Sequence, residues 1–522
     1  MNLLFDPIFR VQTNQDQLAL CLPALLERLG KKEIDHFVGL QKHQHDAFHV
    51  FLCYLAGAIL ARYGCQNLIQ DEEFWRNGLL ELAGMNGKDA WELIVEDISR
   101  PAFMQPPIPD INPRSSSVFT TPDELDVLLT AKNHDVKRTR AANSPIDVWV
   151  YALVSLQTMS GFLGKGNQGI SRMNKGIGKR AIVELIRDRQ PGQRWIDAVS
   201  KLLEHRNRLL SGPFGYNPNG LVLVWLEPWD GKTSLELTVL DPFYVEICRR
   251  IRLSRGSATI SAHSYPAETP RIAAKELSGV VGDPWLPIDL KDVGSGKQGV
   301  AKALTFPPVG ITAEYMRRII FEEKIELSVL QKPQSNWHGN YLFSVSVLIR
   351  GQGTTDGFYE WEVEIPEQKA RSIFQRTKER DELISLSQEA INYVATMRDR
   401  VLKPSVLAFL LGAPDRLRFD REFANDVWTG LSRRFETLWS VDYFPWLFSI
   451  PDGFNEQDEL RKWTSILQKH ALTVLEEAEG ALPLRSGRKY KVQNQIRSRF
   501  WGSFYANFTF MRRDNHEFSD QS

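Results

Sequence analysis

The chain of 522 residues holds only four cysteines, Cys21, Cys53, Cys65 and Cys248, and no two of them form a CxxC pair. That scatter argues against a zinc ribbon and a disulfide framework, and it suits a reducing cytoplasm. Charge of one sign is also missing, because 64 Lys and Arg residues balance 64 Asp and Glu. The overall balance points to neither nucleic acid nor membrane, so any polyanion site has to be local. No apolar run reaches the length of a membrane span, and the short apolar stretch from Phe51 to Ala61 reads as a buried helix. Asp6, Pro7 and Arg10 interrupt the opening residues, so no secretory signal is expected. HExxH, GxSxG, a catalytic Cys-His signature and the kinase HRD and DFG pair are all absent. These absences leave nothing that argues for an enzyme, and neither a cofactor nor a metal is expected.

Length calls for two or three domains. Periodicity predicts a strand over 3–12, helices over 17–29, 40–63, 123–130 and 147–159, and a proline-rich loop around residues 100–109 pinned by Phe103 and Met104. Strand patterns follow at 221–226, 234–240 and 341–350, the last leading through a Gly351–Gly357 turn into a return strand that alternates Tyr359, Trp361, Val363 and Ile365 with glutamates. Beyond Pro366, amphipathic segments at 368–401, 416–440, 454–479 and 487–510 suggest a four-helix bundle. The expected class is α+β: a large mixed α/β domain over 1–366 and a helical bundle over 367–522.

What the chain does have is a stretch from Gly161 to Arg180 with six glycines, five Lys or Arg residues and no acid. Glycine lets the main chain approach a ligand closely, and Lys165, Arg172, Lys175, Lys179 and Arg180 supply positive charge, which suits phosphate. Gly164, Gly166 and Gly169 match GxGxxG, but a helix precedes them where the dinucleotide fingerprint needs a strand. Walker A fails as well, since Asn167 stands where Lys is required. The bland reading is a basic surface loop. Of His43, His45 and His49, the last two stand at i, i+4 and could share one helical face as metal ligands, but no third ligand set stands out and a polar stripe on an amphipathic helix is the favoured reading.

Two further segments share the basic chemistry. Asn133 to Asn143 combines Lys137, Arg138 and Arg140 with His134 and terminal amides, which suits RNA contact as well as a solvated loop. Arg485 to Arg513 holds eight basic residues and no acid, with Val492, Ile496, Phe500, Phe504 and Phe508 at every fourth position. That stripe packs, and its flanks face solvent or a phosphate backbone.

The opening MNLLFDPIFRV, the PAFMQ loop, AKNHDVKR, the ALVSLQT helix followed by GFLGKGNQGISRMN, and the GQGTTDGFYEW hairpin occur here in order. In this the chain resembles the CasA family, the large subunit of the type I-E CRISPR Cascade complex. The resemblance implies a non-catalytic reader of double-stranded DNA that recognises the protospacer-adjacent motif, wedges the duplex to start R-loop formation and helps recruit or license the effector nuclease. It implies motif-reading and wedge roles for Gly164, Lys165, Gly166, Asn167, Lys275, Gly351, Gln352, Gly353 and Thr354. Asn133, His134, Lys137, Arg138, Arg140 and Asn143 would meet the 5′ handle of the CRISPR RNA and a neighbouring subunit. Arg172, Lys175, Arg488, Lys489, Lys491, Arg497 and Arg499 would line the DNA backbone. Partners would then be target DNA, CRISPR RNA, the backbone, handle-capping and small subunits and the nuclease, with no membrane and a cytoplasmic location. The alternative is a metal- or nucleotide-dependent nucleic-acid enzyme using His43, His45 and His49 or the glycine-rich segment. Some family members carry a cysteine cluster in the β region; only Cys248 stands there in this chain, so zinc is not expected.

Overall fold

The structure is a computed structural model that describes residues 1–109, 116–126, 144–177, 179–256, 259–290, 300–334, 337–350, 355–375, 377–411, 422–481 and 486–512. It divides into two compact units, one formed by 1–311 with 323–363, the other by 312–322 with 364–522.

In the first unit, helix α1 (Leu22–Gly30) begins with Pro23 in its first turn, which is where proline fits because no intrahelical N–H is needed there. The helix predicted over 17–29 is therefore shorter. Gln17–Leu20 instead pairs antiparallel with Phe9–Gln12, Phe9 lying opposite Leu20, and the cross-strand pairing overrides the local helical spacing. The predicted strand over 3–12 keeps only Phe9–Gln12, because the Asp6 N–H donates to the Asn2 carbonyl at 2.9 Å and turns the chain.

Helix α2 (Lys42–Arg62) is buried on every side from Val50 to Leu60, as an all-apolar run requires. It packs against α3 (Ile146–Met159) and α4 (Pro191–Leu210). Trp75, Trp91, Trp195, Trp225, Trp229 and Trp285 fill the surrounding core. The proline-rich loop is pinned as its sequence suggests: Phe103 and Met104 are fully buried, and Phe103 stands edge-on to Trp225 at 5.6 Å between centroids.

Strand β1 (Ala181–Ile186) pairs antiparallel with Tyr341–Arg350, Val183 opposite Val345, and the latter pairs with Thr355–Ile365. A second sheet places Ile260–Tyr265 between Ser117–Phe119 and Arg250–Arg255. Between them in sequence, the strand pattern at 221–226 survives only at Leu221–Leu223, and that at 234–240 gives way to a 3-10 turn over Leu237–Val239 before the strand Leu240–Val245.

The second unit is helical. Lys378–Thr396 runs through a π-turn, Met397–Leu402, into Lys403–Leu410. The sequence pattern breaks at 401 because of Pro404, but the wider turn absorbs the missing N–H and the helix continues. Glu422–Ser449, Glu456–Ala481 and Ser486–Asn507 complete a four-helix bundle, and Ala313–Phe321 joins the same unit. Its centre is aromatic: the Trp463 indole stacks on Trp446 at 4.7 Å and donates to the Ala390 carbonyl at 3.0 Å, while the Tyr443 hydroxyl donates to the Ser387 carbonyl at 2.9 Å. Val492, Ile496, Phe500, Phe504 and Phe508 are all buried, as their spacing predicts.

Candidate nucleic-acid interface

Helix α3 ends at Met159, and the glycine-rich segment follows it directly, so the dinucleotide frame is absent. The segment is folded by its own backbone. The Phe162 N–H donates to the Gly176 carbonyl at 2.8 Å, the Leu163 N–H to the Asn167 carbonyl at 3.1 Å and the Asn167 N–H to the Gly164 carbonyl at 3.0 Å. Gly166 sits at φ +90, the left-handed region that this tight turn needs at its third position. Gly169 serves a different purpose: a Cβ there would lie 1.9 Å from the Gly176 carbonyl oxygen, so only a bare backbone lets the two limbs close. The loop is also tied down from outside. The Gly166 carbonyl accepts from the Ala267 N–H at 2.9 Å, Gln168 donates to the Ala267 and Glu268 carbonyls, and Arg249 donates to the Gly161 and Gln168 carbonyls.

Two of its five cations turn inward. Arg172 is 2% exposed, pairs with Glu246 at 3.2 Å, donates to the Tyr244 carbonyl at 3.0 Å and lies 3.8 Å over the Tyr244 ring. Arg180 is equally buried and meets Asp283 at 2.8 Å. Burial pushes the Glu246 carboxyl above its ordinary range, while the Arg172 guanidinium pulls it down. The expectation that Arg172 contacts a DNA backbone is thus corrected. Its guanidinium is a core group that holds the loop to the strand Leu240–Val245 and the residues after it.

Of the other three, Lys179 is half-buried and two face outward. Lys165 and Lys175 are exposed, and neither makes an ion pair among the described residues. Lys175 is held at φ +52, an unusual backbone for a side chain of this size. It stands in a one-turn 3-10 helix, Asn174–Gly176, that packs beside a second, Lys275–Leu277. Between them lies a cleft of 280 Å³ lined by Lys175, Lys275, Phe162, Ile177, Gly169 and Ile272 among others, with no carboxylate in its lining. Phe162 is 42% exposed and Ile177 63%, so apolar side chains stand in water beside the lysines. Neither was singled out by sequence reasoning, since their composition resembles core residues; only their place between glycines hints at exposure.

Gly351, Gln352, Gly353 and Thr354, and all of Asn133, His134, Lys137, Arg138, Arg140 and Asn143, lie outside the described residues. In the last helix Lys491 and Arg499 are exposed, whereas Arg497 pairs with Glu479 at 3.2 Å. Arg488 and Lys489 belong to the same helix. The histidines of α2 serve separate neighbours: His43 bonds Asp126 at 2.8 Å, His49 faces Glu184 at 3.7 Å, and His45 is exposed. Among the described residues no three His, Cys, Asp or Glu side chains form a group fit to hold a metal ion. No described helix is long and apolar enough to cross a membrane.

No family model matches this sequence, and no curated protein matches it. Solved structures do. CasA of Thermus thermophilus is similar with a TM-score of 0.63 and 13% identity, over 97% of this chain and 99% of that one. Cse1 from Acidimicrobium ferrooxidans follows at 0.62 and 14% identity, over 98% and 99%, and Thermobifida fusca Cse1 at 0.60 and 13%, over 98% of each. At such identities the likeness is one of architecture: the chain has the CasA/Cse1 fold over nearly its whole length.

Proposed function

We propose that the chain is the large, target-reading subunit of an RNA-guided type I-E Cascade complex, a binding protein that works within an assembly. The observation that carries the reading is the cleft shared by the glycine-rich loop and Lys275, basic, free of carboxylates and edged by exposed apolar side chains. Cations supply affinity for duplex phosphates, while a narrow, bare backbone allows approach to a groove edge. Minor-groove reading is degenerate, so tolerance of several related short motifs is expected. A neutral net charge fits this task, since a strongly basic body would hold the complex on every non-specific site.

Within the same proposal Gln352, with Gly351, Gly353 and Thr354, wedges the duplex beside the motif. A small polar tip can replace stacking with hydrogen bonds there. The segment with Lys137, Arg138 and Arg140 holds the CRISPR RNA 5′ handle, and Lys491 and Arg499 guide DNA. The effector nuclease joins after the motif has been read. Reconstitution with the remaining subunits and guide RNA tests this reading. Leaving this chain out should abolish the preference for a motif beside the target, and a preference that persists without it overturns the proposal.

A further inference from the structure

A second cavity, of 670 Å³, lies in the first unit, walled by the C-terminal half of α4, residues 280–288 and residues 326–334. That volume falls within the range of small-ligand pockets. At its wall stands Lys201, a lysine only 2% exposed. Its ammonium donates to the Lys332 carbonyl at 2.8 Å and lies 4.2 Å over the Trp337 ring. Among the described residues it makes no ion pair, and only one acceptor meets its three N–H groups. Burial lowers it to about 8, so it remains largely charged near neutral pH. Glu184, Asp197 and Glu204 act on its charge only from beyond ion-pair distance, a buried ammonium so placed is costly, and an anion in the adjoining space would meet it directly.

The rest of the lining repeats the pattern. Arg208 and Lys332 are exposed and make no ion pair among the described residues, and burial, with these two cations, lowers the imidazole of His205. Asp283 also borders the cavity, but it is committed to Arg180. Glu204 and Glu326 are exposed lining residues, and their charge opposes a polyanion laid across the opening while accepting hydrogen bonds from hydroxyl or amino groups. Phe214 offers a half-buried ring against which a flat body can pack.

We propose that this cavity binds a small organic phosphate with a flat body and hydroxyl donors, the class to which a free mononucleotide belongs, with its phosphate on Lys201, Arg208 and Lys332. The site is separate from the duplex-reading cleft and shares none of its lining residues.

Calorimetric titration of the full chain with adenosine monophosphate tests it, with adenosine and a 5′-phosphorylated oligonucleotide as parallel arms. The expected result is one saturable nucleotide site per chain, weakened about tenfold or more in an Arg208→Ala/Lys332→Ala variant and in Lys201→Met, and about tenfold or more weaker for adenosine. The double variant changes exposed residues only, so it decides the matter should Lys201→Met fail to fold. No saturable binding of the nucleotide, equal binding of adenosine, indifference to the double variant, or tighter binding of the oligonucleotide at the same site overturns the proposal. Duplex binding by the assembled complex is unchanged in the double variant, which keeps this test apart from that of the reading cleft.

Discussion

Lys175 and Lys275 stand on two separate one-turn 3-10 helices and line one cleft without a carboxylate between them. Each supplies a charge that a phosphate can neutralise, so each substitution to Ala removes roughly one released counterion from the binding equilibrium. We expect Lys175→Ala and Lys275→Ala each to weaken target binding by the assembled complex and to lower the slope of log K against log salt by about 0.9. Duplex binding measured across a salt series checks this. An unchanged slope in both variants removes the cleft from the DNA path.

Arg172 behaves in the opposite way. It is buried between Glu246, Asp283 and the Tyr244 ring, so Arg172→Ala leaves Glu246 in the core without its ion-pair partner, while Asp283 keeps Arg180. The expected cost is about 3–5 kcal/mol of stability. Lys165→Ala, at an exposed position, should stay within about 0.5 kcal/mol. Urea denaturation of the two variants distinguishes a core group from a surface cation.

Gly169 and Gly430 give a matched pair. Alanine at 169 would drive its Cβ into the Gly176 carbonyl, so Gly169→Ala should open the loop and destabilise the first unit. Gly430 lies in the interior of the helix Glu422–Ser449 with open space around it. There alanine is expected to stabilise by about 0.5–1 kcal/mol through helix propensity. Thermal melting reads both signs.

Acid should destabilise the first unit by a defined route. Burial raises the Glu184 carboxyl, but Arg194 at 2.8 Å and His49 outweigh it and hold the group at about 2. Burial, helped by Arg194, lowers the His49 imidazole. In both cases the unfolded chain binds protons at a higher pH than the folded one, so stability falls as pH drops from about 6.5 towards 2. The Glu184 share, from an ordinary 4.5 to about 2, amounts to about 3 kcal/mol. Glu184→Gln should flatten the lower part of that limb in urea melts taken between pH 5 and 2, at some cost in stability at neutral pH.

The sequence disclosed those parts whose physics is local. Val492 to Phe508 recur at one helical face and are buried as that spacing demands, and the alternation after Thr355 gives a strand. Helix α3 running into the glycine stretch was equally legible, and it counted against the dinucleotide reading. Long-range partners were not legible. Nothing within Gly161 to Arg180 reveals that Arg172 meets Glu246 while Lys175 does not, because the acid arrives on a distant part of the chain. Gln17–Leu20 has helical spacing, but an available edge at Phe9–Gln12 wins it for a sheet. Lys275 shares its cleft with the loop only because Asn174–Gly176 and Lys275–Leu277 pack side by side.

Reading of a duplex motif by the Lys175 and Lys275 cleft is the central claim, and selection from a duplex library randomised beside a fixed target tests it most directly. The assembled complex carrying the unaltered chain should enrich a short set of related motifs. The Lys175→Ala/Lys275→Ala complex should assemble fully and enrich none. Undiminished enrichment by that variant would contradict the account.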